Sequence, residues 1–383
     1  MSKIVIKNCP SYDQETLIPV LHSVLKEAGG WDRYIKSGDT VLLKVNLIGP
    51  KPADSGAVTH PDFVRALTKI LHEKGCRVWI GDSAGGAIAG IAPTGRAMDV
   101  AGYKAVAEEE GAEIKNFDRE GVTEVPVNSP DYGSIFLARP LFEADVVINL
   151  PKLKTHVAAG YTGAVKNLFG CIPGLKKAEY HKLYPDSRSF GNIIADINDA
   201  VKPALHIMDG ITGMQGKGPT GGSPYSAGKV IAGTDPLALD TVGAAMMGLD
   251  VRDLPIFEEV IRRDLGMSDP AGIELAGDYT EVPRLKGYEI PKVHAVGGRK
   301  SKMFKKVIEF FKTRPNINLS ICTACNTCVD SCPVQAIDRD TKLIDYTKCI
   351  ECMCCHELCV YNAVELKNVK PLAGFVTRFM KTG

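Results

Sequence analysis

The chain has 383 residues, and hydrophobic residues make up 45% of them, which is enough for a large core and more than one domain. Its 46 lysines and arginines nearly cancel its 45 aspartates and glutamates, so no bulk charge attracts nucleic acid or an anionic membrane. The stretch MSKIVIKNCP lacks an export-signal pattern, and no apolar run is long enough to span a bilayer. We therefore expect a cytoplasmic protein with no nucleic-acid partner and no membrane span.

Short β-branched runs alternate with helical patterns over most of the chain. In chain order, strands are predicted for IVIKNC, TVLLKVNLI, CRVWIGD, DVVINLP, LHIMDG and KVIAGT, and helices for LIPVLHSVLKEAGG and PDFVRALTKILHEKG. Most of the strand runs are almost continuously apolar, as in sheets that are covered on both faces. This order predicts an α/β fold of layers around a mostly parallel sheet.

Polar or glycine-rich segments follow the predicted strands: NLIGPKPADSGAVTHP, GDSAGG, NLPKLKTH, MDGITGMQGKGPTGGSPYSAGK and AGTDPLALD. Loops at the carboxyl ends of parallel strands are where such folds build sites, so these segments are expected to line one cleft. GKGPTG is not a dinucleotide fingerprint, because Pro219 lies inside it and no helical pattern follows. Thr234 or Asp235 is expected to cap the helix that Pro236 begins.

The composition changes toward the C-terminus and predicts four parts. Residues 1–295 form the α/β domain that binds a ligand or catalyses a reaction, and 296–316 form a basic connection with a short amphipathic helix. Residues 317–370 form a small cysteine-rich module, and 371–383 form a tail that is basic and apolar.

The small module contains nine of the twelve cysteines, in the two runs CTACNTCVDSC and CIECMCCHELC, which repeat 27 positions apart. Cysteines at i, i+3 and i+6 let one loop wrap three corners of a cubane. The runs resemble the bacterial ferredoxin, a small α+β domain with two [4Fe-4S] clusters. A zinc ribbon uses four ligands and has no need of eight.

The ferredoxin resemblance implies that each cluster takes three cysteines from one run and the fourth from the other. Cys354 is then spare, and the two sets of metal ligands are Cys322, Cys325, Cys328 with Cys359, and Cys349, Cys352, Cys355 with Cys332. Cys9, Cys76 and Cys171 are expected to be small buried hydrophobic side chains. A redox partner protein or low-potential electron carrier is implied.

The segment from residue 149 to 181 gathers cationic and titratable side chains among glycines, directly after an apolar strand: Lys152, Lys154, His156, Lys166, Lys176, Lys177 and His181. Such a set suits a cleft for a small anion with a carboxylate or phosphate group, and Lys217 in GKGPTG is expected to add a charge. The alternative is a solvated lysine-rich loop. His156 follows Lys154 at the expected strand end, which predicts a catalytic acid or base.

Residues from about 3 to 295 resemble the uncharacterised family known as domain of unknown function 362, often fused to a ferredoxin module. The likeness is in KVNLIGP, THPDFVRAL, GDSAGG, LPKLKTH, TGAVKNLFG, DGITGMQGKGP and GTDPLALD. The likeness implies kinship, but it does not indicate which activity the protein has.

HVAAGYTGAVKNLFGCIPG is also similar to a short segment of lactate racemase. That resemblance implies Lys166 as the anchor of a nickel pincer nucleotide, His181 as a nickel ligand, and His156 and His60 as acid and base. Thr162 and Val165 depart from the racemase pattern, which has serine and a basic residue at these positions.

Three functions follow as hypotheses. The favoured one is a cytoplasmic iron-sulfur oxidoreductase of anaerobe-like metabolism, which acts on a small anion through Lys152, Lys154 and Lys166. The second is an isomerase or lyase that uses paired histidines together with a nickel cofactor or an organic cofactor. The third is an electron carrier or assembly protein without catalysis.

Overall fold

The computed structural model describes residues 1–85, 93–129, 131–174, 176–291, 313–351, 354–359, 361 and 363–368. Its strands are β1 Ser2–Asn8, β2 Thr40–Lys44, β3 Arg77–Asp82, β4 Glu113–Asn116, β5 Val122–Pro126, β6 Ser134–Ala138, β7 Val146–Asn149, β8 Lys152–His156, β9 Gly160–Thr162, β10 Leu205–Gln215, β11 Ser223–Gly233, β12 Ile273–Gly277, β13 Thr313–Ile317 and β14 Val364–Asn368. Its helices are α1 Gln14–Glu27, α2 Pro61–Glu73, α3 Thr94–Val100, α4 Tyr103–Glu110, α5 Pro140–Glu143, α6 Ala164–Asn167, α7 Lys176–Leu183, α8 Ser187–Val201, α9 Pro236–Met247, α10 Glu258–Arg262, α11 Thr327–Asp330 and α12 Cys354–Leu358.

The large sheet follows the order β12-β1-β11-β10-β7-β2-β3-β4, with β8 beside β10 and β9 beside β8. Neighbours from β10 through β7, β2 and β3 to β4 run parallel, as do β8 with β10 and β12 with β1. The pairs β1–β11, β10–β11 and β8–β9 are antiparallel. The predicted α/β fold with a mostly parallel sheet is confirmed.

Each face of the sheet carries its own hydrophobic core. In β1, Ile4 and Ile6 belong to one core and Val5 to the other, and in β2 Leu42 and Leu43 are divided in the same way. Side chains alternate across a strand, so a continuously apolar strand supplies both cores at once. Helices α1 to α4 cover one face, and α8, α9 and α10 cover the other.

The starts of α2 at Pro61 and of α9 at Pro236 agree with the sequence prediction, whereas α1 begins three residues before the predicted helix and α8 was not predicted. Asp235 accepts hydrogen bonds from the Leu237 and Ala238 amides at 3.0 and 2.9 Å, and so caps α9, which begins at Pro236. After GKGPTG comes strand β11 and no helix, in agreement with the rejection of a dinucleotide site.

Two segments predicted as strand-end loops are themselves strands. Lys152–His156 forms β8, whose five residues are all buried, because it pairs with both β10 and β9. The long glycine-rich segment is mostly the antiparallel pair β10 and β11, and residues 216–222 alone connect them. The many polar residues and glycines of these segments hid the strand pattern.

The C-terminal module pairs β13 with β14 and carries the short helices α11 and α12. Residues 313–316, placed in the connection by the sequence, belong to β13, so the module begins earlier than expected. The rest of that connection, where an amphipathic helix was predicted, and the tail at 371–383 lie outside the described residues. Within the described residues, no helix has both the length and the apolar character needed to cross a membrane.

Candidate functional site

A cleft of about 910 Å³, measured with its open mouth, lies where β2, β3 and β8 end. The α/β domain contributes one wall, and α11 and α12 of the cysteine-rich module contribute the other. The residues that line it are Asn46, Leu47, Ile48, Asp82, Ser83, Gly85, Lys154, His156, Thr162, Lys166, Asn167, Phe169, Gly170, Gly174, Lys177, His181, Pro219, Asp330, Ser331, Cys354 and Leu358. Four predicted site residues therefore share one cleft: Lys154, His156, Lys166 and His181.

Lys154 is 1% exposed, and its ammonium group is bonded to the Asn46 side-chain oxygen at 2.7 Å and to the Ala57 carbonyl at 2.6 Å. Asn46 in turn donates to Asn167 at 2.7 Å, and Asn167 donates to Asn149 at 2.7 Å. This ladder of buried amides ties β2, β7, β8 and α6 together. Because buried polar groups are costly unless they are bonded, the ladder fixes the position of the lysine.

A buried ion pair stands behind the cleft floor. The Lys44 ammonium lies 3.0 Å from the Asp82 carboxylate and also donates to the carbonyl groups of Val45 and Asn167. Burial raises the pKa of Asp82, and the charges on Lys44 and Lys177 oppose that rise. Gly170 passes so close to the pair that a Cβ atom there would lie 2.2 Å from an Asp82 oxygen.

Lys177 on α7 is a buried cation whose ammonium group is held by neutral oxygens. Its ammonium donates to the Ser83 carbonyl and hydroxyl at 2.6 and 2.5 Å and to the Ala84 carbonyl at 3.2 Å. Burial lowers the pKa of Lys177 to about 8, while Asp118 and Asp82 oppose that fall. A lysine in this range can give up a proton near neutral pH.

His156 stands at the end of β8 with its ring held by the next turn of backbone. Its Nδ1 atom accepts the amide protons of Ala158 and Ala159 at 3.2 and 3.1 Å. In the neutral ring the proton is therefore on Nε2. A proton on Nδ1 would face the two N–H groups of the backbone and be repelled by them. This arrangement suits a hydrogen-bond donor better than the general base that the sequence suggested.

Lys166 reaches the cleft because of the way α6 begins. Asp240, which is fully buried on α9, accepts the amides of Ala164 and Val165 at 2.6 and 2.9 Å. Burial raises the pKa of Asp240 to about 7, although these two amides lower it. Gly163 precedes the helix, and a Cβ atom there would lie 1.9 Å from an Asp240 oxygen and 2.4 Å from the Tyr161 ring.

His181 on α7 and Thr162 on β9 complete this side of the cleft. The imidazole of His181 stacks on Phe190 with 4.6 Å between ring centroids and meets the edge of Phe169. The buried hydroxyl of Thr162 has no hydrogen-bond partner among the described residues. A ligand oxygen at Thr162 would satisfy that hydroxyl.

Three predicted site residues are not among those that line the cleft. Lys152 is fully buried in an ion pair with Asp209 at 2.6 Å. The ring of His60 stacks on Tyr12, and its Nδ1 atom caps α2 by accepting the Asp62 amide. Lys217 is exposed at the tip of the β10–β11 connection. Lys152 and His60 therefore have structural roles, and Lys217 lies in solvent.

The sequence prediction did not assign roles to Lys44, Asn46, Asp82 and Asn167. KVN and GDS were noted only as strand ends with family likeness, although a charged residue closing a buried parallel strand is itself a usable signal. Lys177 was noticed within the cationic segment but not assigned to the site. Asn167 could not be recognised, because its partners lie far away in the chain.

The cysteine-rich module places its described cysteines in two groups. Burial and the neighbouring thiolates of Cys359, Cys325 and Cys322 raise the pKa of Cys328 to about 11, so these four lie close together. Cys332, Cys349 and Cys355 line a second, small cavity, together with Cys354. Cys352 lies outside the described residues. The two ligand sets that the ferredoxin resemblance implied stay a prediction, and soft thiolate donors in such groups fit iron-sulfur clusters.

The backbone of the two cysteine runs repeats with the sequence. Ala324 and Glu351, 27 positions apart, both have positive φ, at 55° and 54°. Their amides point to the sulfurs of Cys322 and Cys349, each at 3.4 Å. The amides of Ala336 and Ala363 do the same for Cys332 and Cys359, at 3.2 and 3.1 Å. Amides directed at thiolates stabilise their negative charge.

The cleft and the second cysteine cavity share a wall. Cys354 lines both, while Ser331 lines the cleft next to Cys332 in the chain. The side chain of Leu358 also reaches the α/β domain, 3.2 Å from where a Cβ atom of Gly85 would lie. Among described residues, no three His, Cys, Asp or Glu side chains converge tightly enough for a single metal ion. The nickel site stays a prediction.

A cationic cleft in an α/β domain, closed by a module with two groups of cluster-type cysteines, defines an iron-sulfur protein. Residues 41–245 match the family described as Domain of unknown function (DUF362), and residues 314–360 match the 4Fe-4S dicluster domain. The chain belongs to the DUF362 family, since the first match covers more than half of it.

The chain is similar to a curated relative and to solved structures. The thylakoid-associated protein sll1697 of Synechocystis sp. is 35% identical over 247 residues, which are 64% of this chain and 74% of that protein. The lactate racemase apoprotein from Thermoanaerobacterium thermosaccharolyticum superimposes with a TM-score of 0.34 and 13% identity. That superposition covers 53% of this chain and 50% of the racemase chain.

Substituting Gly163→Ala should displace the start of α6, since the new methyl group would overlap both Asp240 and Tyr161. We expect a loss of about 2 to 4 kcal/mol in the free energy of unfolding, or a folded protein with a displaced Lys166. Thermal or urea unfolding of anaerobic protein measures the first, and a crystal structure the second.

Gly133→Ala is the matched control, because nothing lies within 4 Å of its Cβ position and the site is exposed. Equal stability of the two variants, with Lys166 unmoved, would contradict the role given to Gly163.

Proposed function

We propose that this protein is an iron-sulfur oxidoreductase in which a small anion binds in the cleft and exchanges electrons with the C-terminal module. The observation that supports this most directly is the composition of the two walls. Lys154, Lys166 and Lys177 line one wall, and Ser331 and Cys354, each preceding a cluster-type cysteine, line the other. A bound ligand would lie between fixed positive charges and the cysteine groups.

The module holds two [4Fe-4S] clusters in this proposal. Cys322, Cys325, Cys328 and Cys359 ligate one, and Cys332, Cys349, Cys352 and Cys355 ligate the other. When bound, such clusters accept and donate single electrons, which this chain's own side chains do not do. A redox partner protein or a low-potential carrier supplies or removes those electrons.

The charges of the cleft favour an anion. Asp82 is in contact with Lys44, so that carboxylate is already paired. The cleft lining then contains one further acidic residue, Asp330, against three lysines: Lys154, Lys166 and Lys177. All the hydrogen bonds that position the Lys177 ammonium go to neutral oxygens. A ligand with a carboxylate or phosphate group suits such a site.

His156 and Lys177 have different roles in this proposal. The Nε2–H of His156 donates a hydrogen bond to a ligand oxygen and stabilises charge that develops there. Lys177, whose pKa is about 8, supplies or receives the proton that accompanies electron transfer. Lys154 and Lys166 hold the anionic group in place.

The isomerase hypothesis needs two histidines on opposite sides of one ligand. His60 is stacked on Tyr12 and does not line the cleft, so no observation favours the pairing with His156. Proton exchange at a substrate carbon without any reductant would nevertheless establish isomerase chemistry. An electron carrier without catalysis would keep its function in the cell after neutral substitutions at Lys154, His156 and Lys166.

The test begins with protein purified without oxygen. Native mass spectrometry identifies the occupant of the cleft, and stopped-flow absorbance then follows pre-reduced protein mixed with that compound. Reoxidation of the clusters at a rate that depends on its concentration, with stoichiometric reduced product, supports the oxidoreductase. Reoxidation that is independent of every bound compound contradicts it.

The anaerobic protein should contain about eight iron and eight acid-labile sulfur atoms, because two cubanes are expected. Cys354→Ser should leave both counts and the cluster absorbance unchanged, because Cys354 is not a ligand. Iron and sulfide assays on both proteins measure this. A content near four iron in the parent, or loss of a cluster in the variant, would refute the ligand sets.

Lys166→Ala should weaken anion binding about ten- to a hundredfold, which is about 1.5 to 3 kcal/mol for a lost charge-assisted hydrogen bond. Calorimetric titration of the oxidised protein with oxalate or inorganic phosphate measures the dissociation constant. Lys217→Ala removes the same charge from an exposed site outside the cleft and should bind like the parent. Equal affinities in the two variants would place the anion elsewhere.

Anion binding should also weaken as the pH rises through about 8. Below that value Lys177 is protonated and attracts the anion, and above it the charge is lost. A bound anion favours the protonated form, so the midpoint lies at or above the value for the empty site. Oxalate is a suitable ligand because its carboxylates stay ionised throughout. An affinity that is constant across this pH range would exclude Lys177 as the group that controls anion binding. The same affinity in Lys177→Gln as in the parent would also exclude it.

A further inference from the structure

The wall between the cleft and the second cysteine cavity is one residue thick at Cys354, which lines both spaces. Ser331, 7% exposed, lies on the same wall, and the next residue is Cys332. Cys354 is likewise followed by Cys355. Two ligands of the same expected cluster are thus covalent neighbours of cleft-lining residues.

The other group of cysteines is placed differently. Cys322, Cys325, Cys328 and Cys359 are absent from the residues that line the cleft, and Cys325 is exposed to solvent. Among the described residues, Leu358, which precedes Cys359, and Asp330, two residues after Cys328, line the cleft, but neither lines the second cysteine cavity as Cys354 does. A charge in the cleft therefore acts mainly on the site of Cys332, Cys349 and Cys355, which we name the near cluster site.

We propose that anion binding in the cleft and reduction of the near cluster site oppose each other across the wall of Cys354 and Ser331. This inference rests on the proposed function and adds a control of affinity by redox state. One electron from a low-potential carrier adds one negative charge at the site, and no covalent bond forms or breaks. A bound anion makes that addition harder, so the reduction potential falls.

The effect is reciprocal, because a coupling free energy between two sites is the same from either side. If the anion lowers the potential of the near cluster site, reduction of that site weakens binding of the anion by the equivalent factor. Two unit charges about 10 Å apart, at an effective dielectric constant of about 20, change a binding constant roughly tenfold. A tenfold change corresponds to about 59 mV for one electron.

This coupling has a direction that suits turnover. The oxidised protein binds the anion tightly, and the reduced protein holds it less tightly. A product that keeps the anionic group is then released when the near cluster site is reduced again. Lys166, which lines the cleft, strengthens the binding in both states, whereas the wall residues determine the difference between them.

The experiment uses the full-length protein at about pH 7 and inorganic phosphate as the probe. Redox titration followed by electron paramagnetic resonance gives the potential of each cluster with and without saturating phosphate. Pulsed measurements on the reduced protein then detect hyperfine coupling from phosphorus-31. We expect one cluster to move by roughly 59 mV to lower potential and the same cluster to show the coupling.

Calorimetry on oxidised and reduced protein completes the cycle, with a roughly tenfold higher dissociation constant expected after reduction. Oxalate is titrated in a second arm, which distinguishes carboxylate from phosphate recognition. Lys166→Met should weaken binding in both states and raise the phosphate concentration needed for the shift. Lys217→Met loses the same charge outside the cleft and should behave like the parent.

Each outcome decides the proposal. Phosphate and oxalate that both fail to bind the oxidised protein overturn the proposed anion site and this inference together. An anion that binds while neither potential moves overturns the coupling and leaves the anion site standing. Equal shifts in both clusters, or phosphorus coupling to the other cluster, overturn the assignment of the near cluster site.

Discussion

The burial of lysine ammonium groups at the carboxyl ends of the strands is the constraint around which this site is built. Lys44, Lys154 and Lys177 are all buried, and an unsolvated cation is costly unless it is bonded. Lys44 is paired with Asp82, while Lys154 donates to the Asn46 amide oxygen and the Ala57 carbonyl, and Lys177 donates to the carbonyl and hydroxyl of Ser83. Neutral oxygens satisfy hydrogen bonds and leave the positive charge in place.

That difference decides what the cleft can recognise. Replacing the neutral oxygens by carboxylates would hold the lysines equally well and cancel the field that attracts an anion. The amide ladder of Asn46, Asn167 and Asn149 supplies fixed dipoles without net charge. Glycines at 163 and 170 then let the α6 segment approach Asp240 and Asp82 closely, which brings Lys166 to the same cleft.

How much of this could be predicted depended on how far apart in the chain the partners lie. The parallel sheet, the start of α2, the cap of α9 and the cysteine spacing rest on local patterns, so they can be predicted from the local sequence. A shared cleft for His156 and three neighbouring lysine or histidine residues could be predicted because all four lie within one segment of the chain. Lys152, two residues before Lys154, points to the same face of β8 by alternation, yet Asp209 on β10 pairs with it.

The residues that were missed depend on contacts between distant segments. Lys44 and Asp82 meet because β2 and β3 are adjacent and in parallel register, with Lys44 opposite Gly81. Nothing near either residue in the chain reveals that pairing. The role of His156 as a donor also depends on tertiary detail, because the orientation of its ring follows from the Ala158 and Ala159 amides.

His156, whose Nδ1 already accepts two backbone amides, and Lys177, whose pKa burial lowers to about 8, restrict the chemistry that the cleft can support. A histidine held in this way donates through Nε2 and stabilises negative charge on a ligand oxygen. Electrons that arrive across the wall of Cys354 would create such charge, and the proton of Lys177 would neutralise it. The proposed single-electron delivery to a polar, anionic acceptor fits these residues taken together.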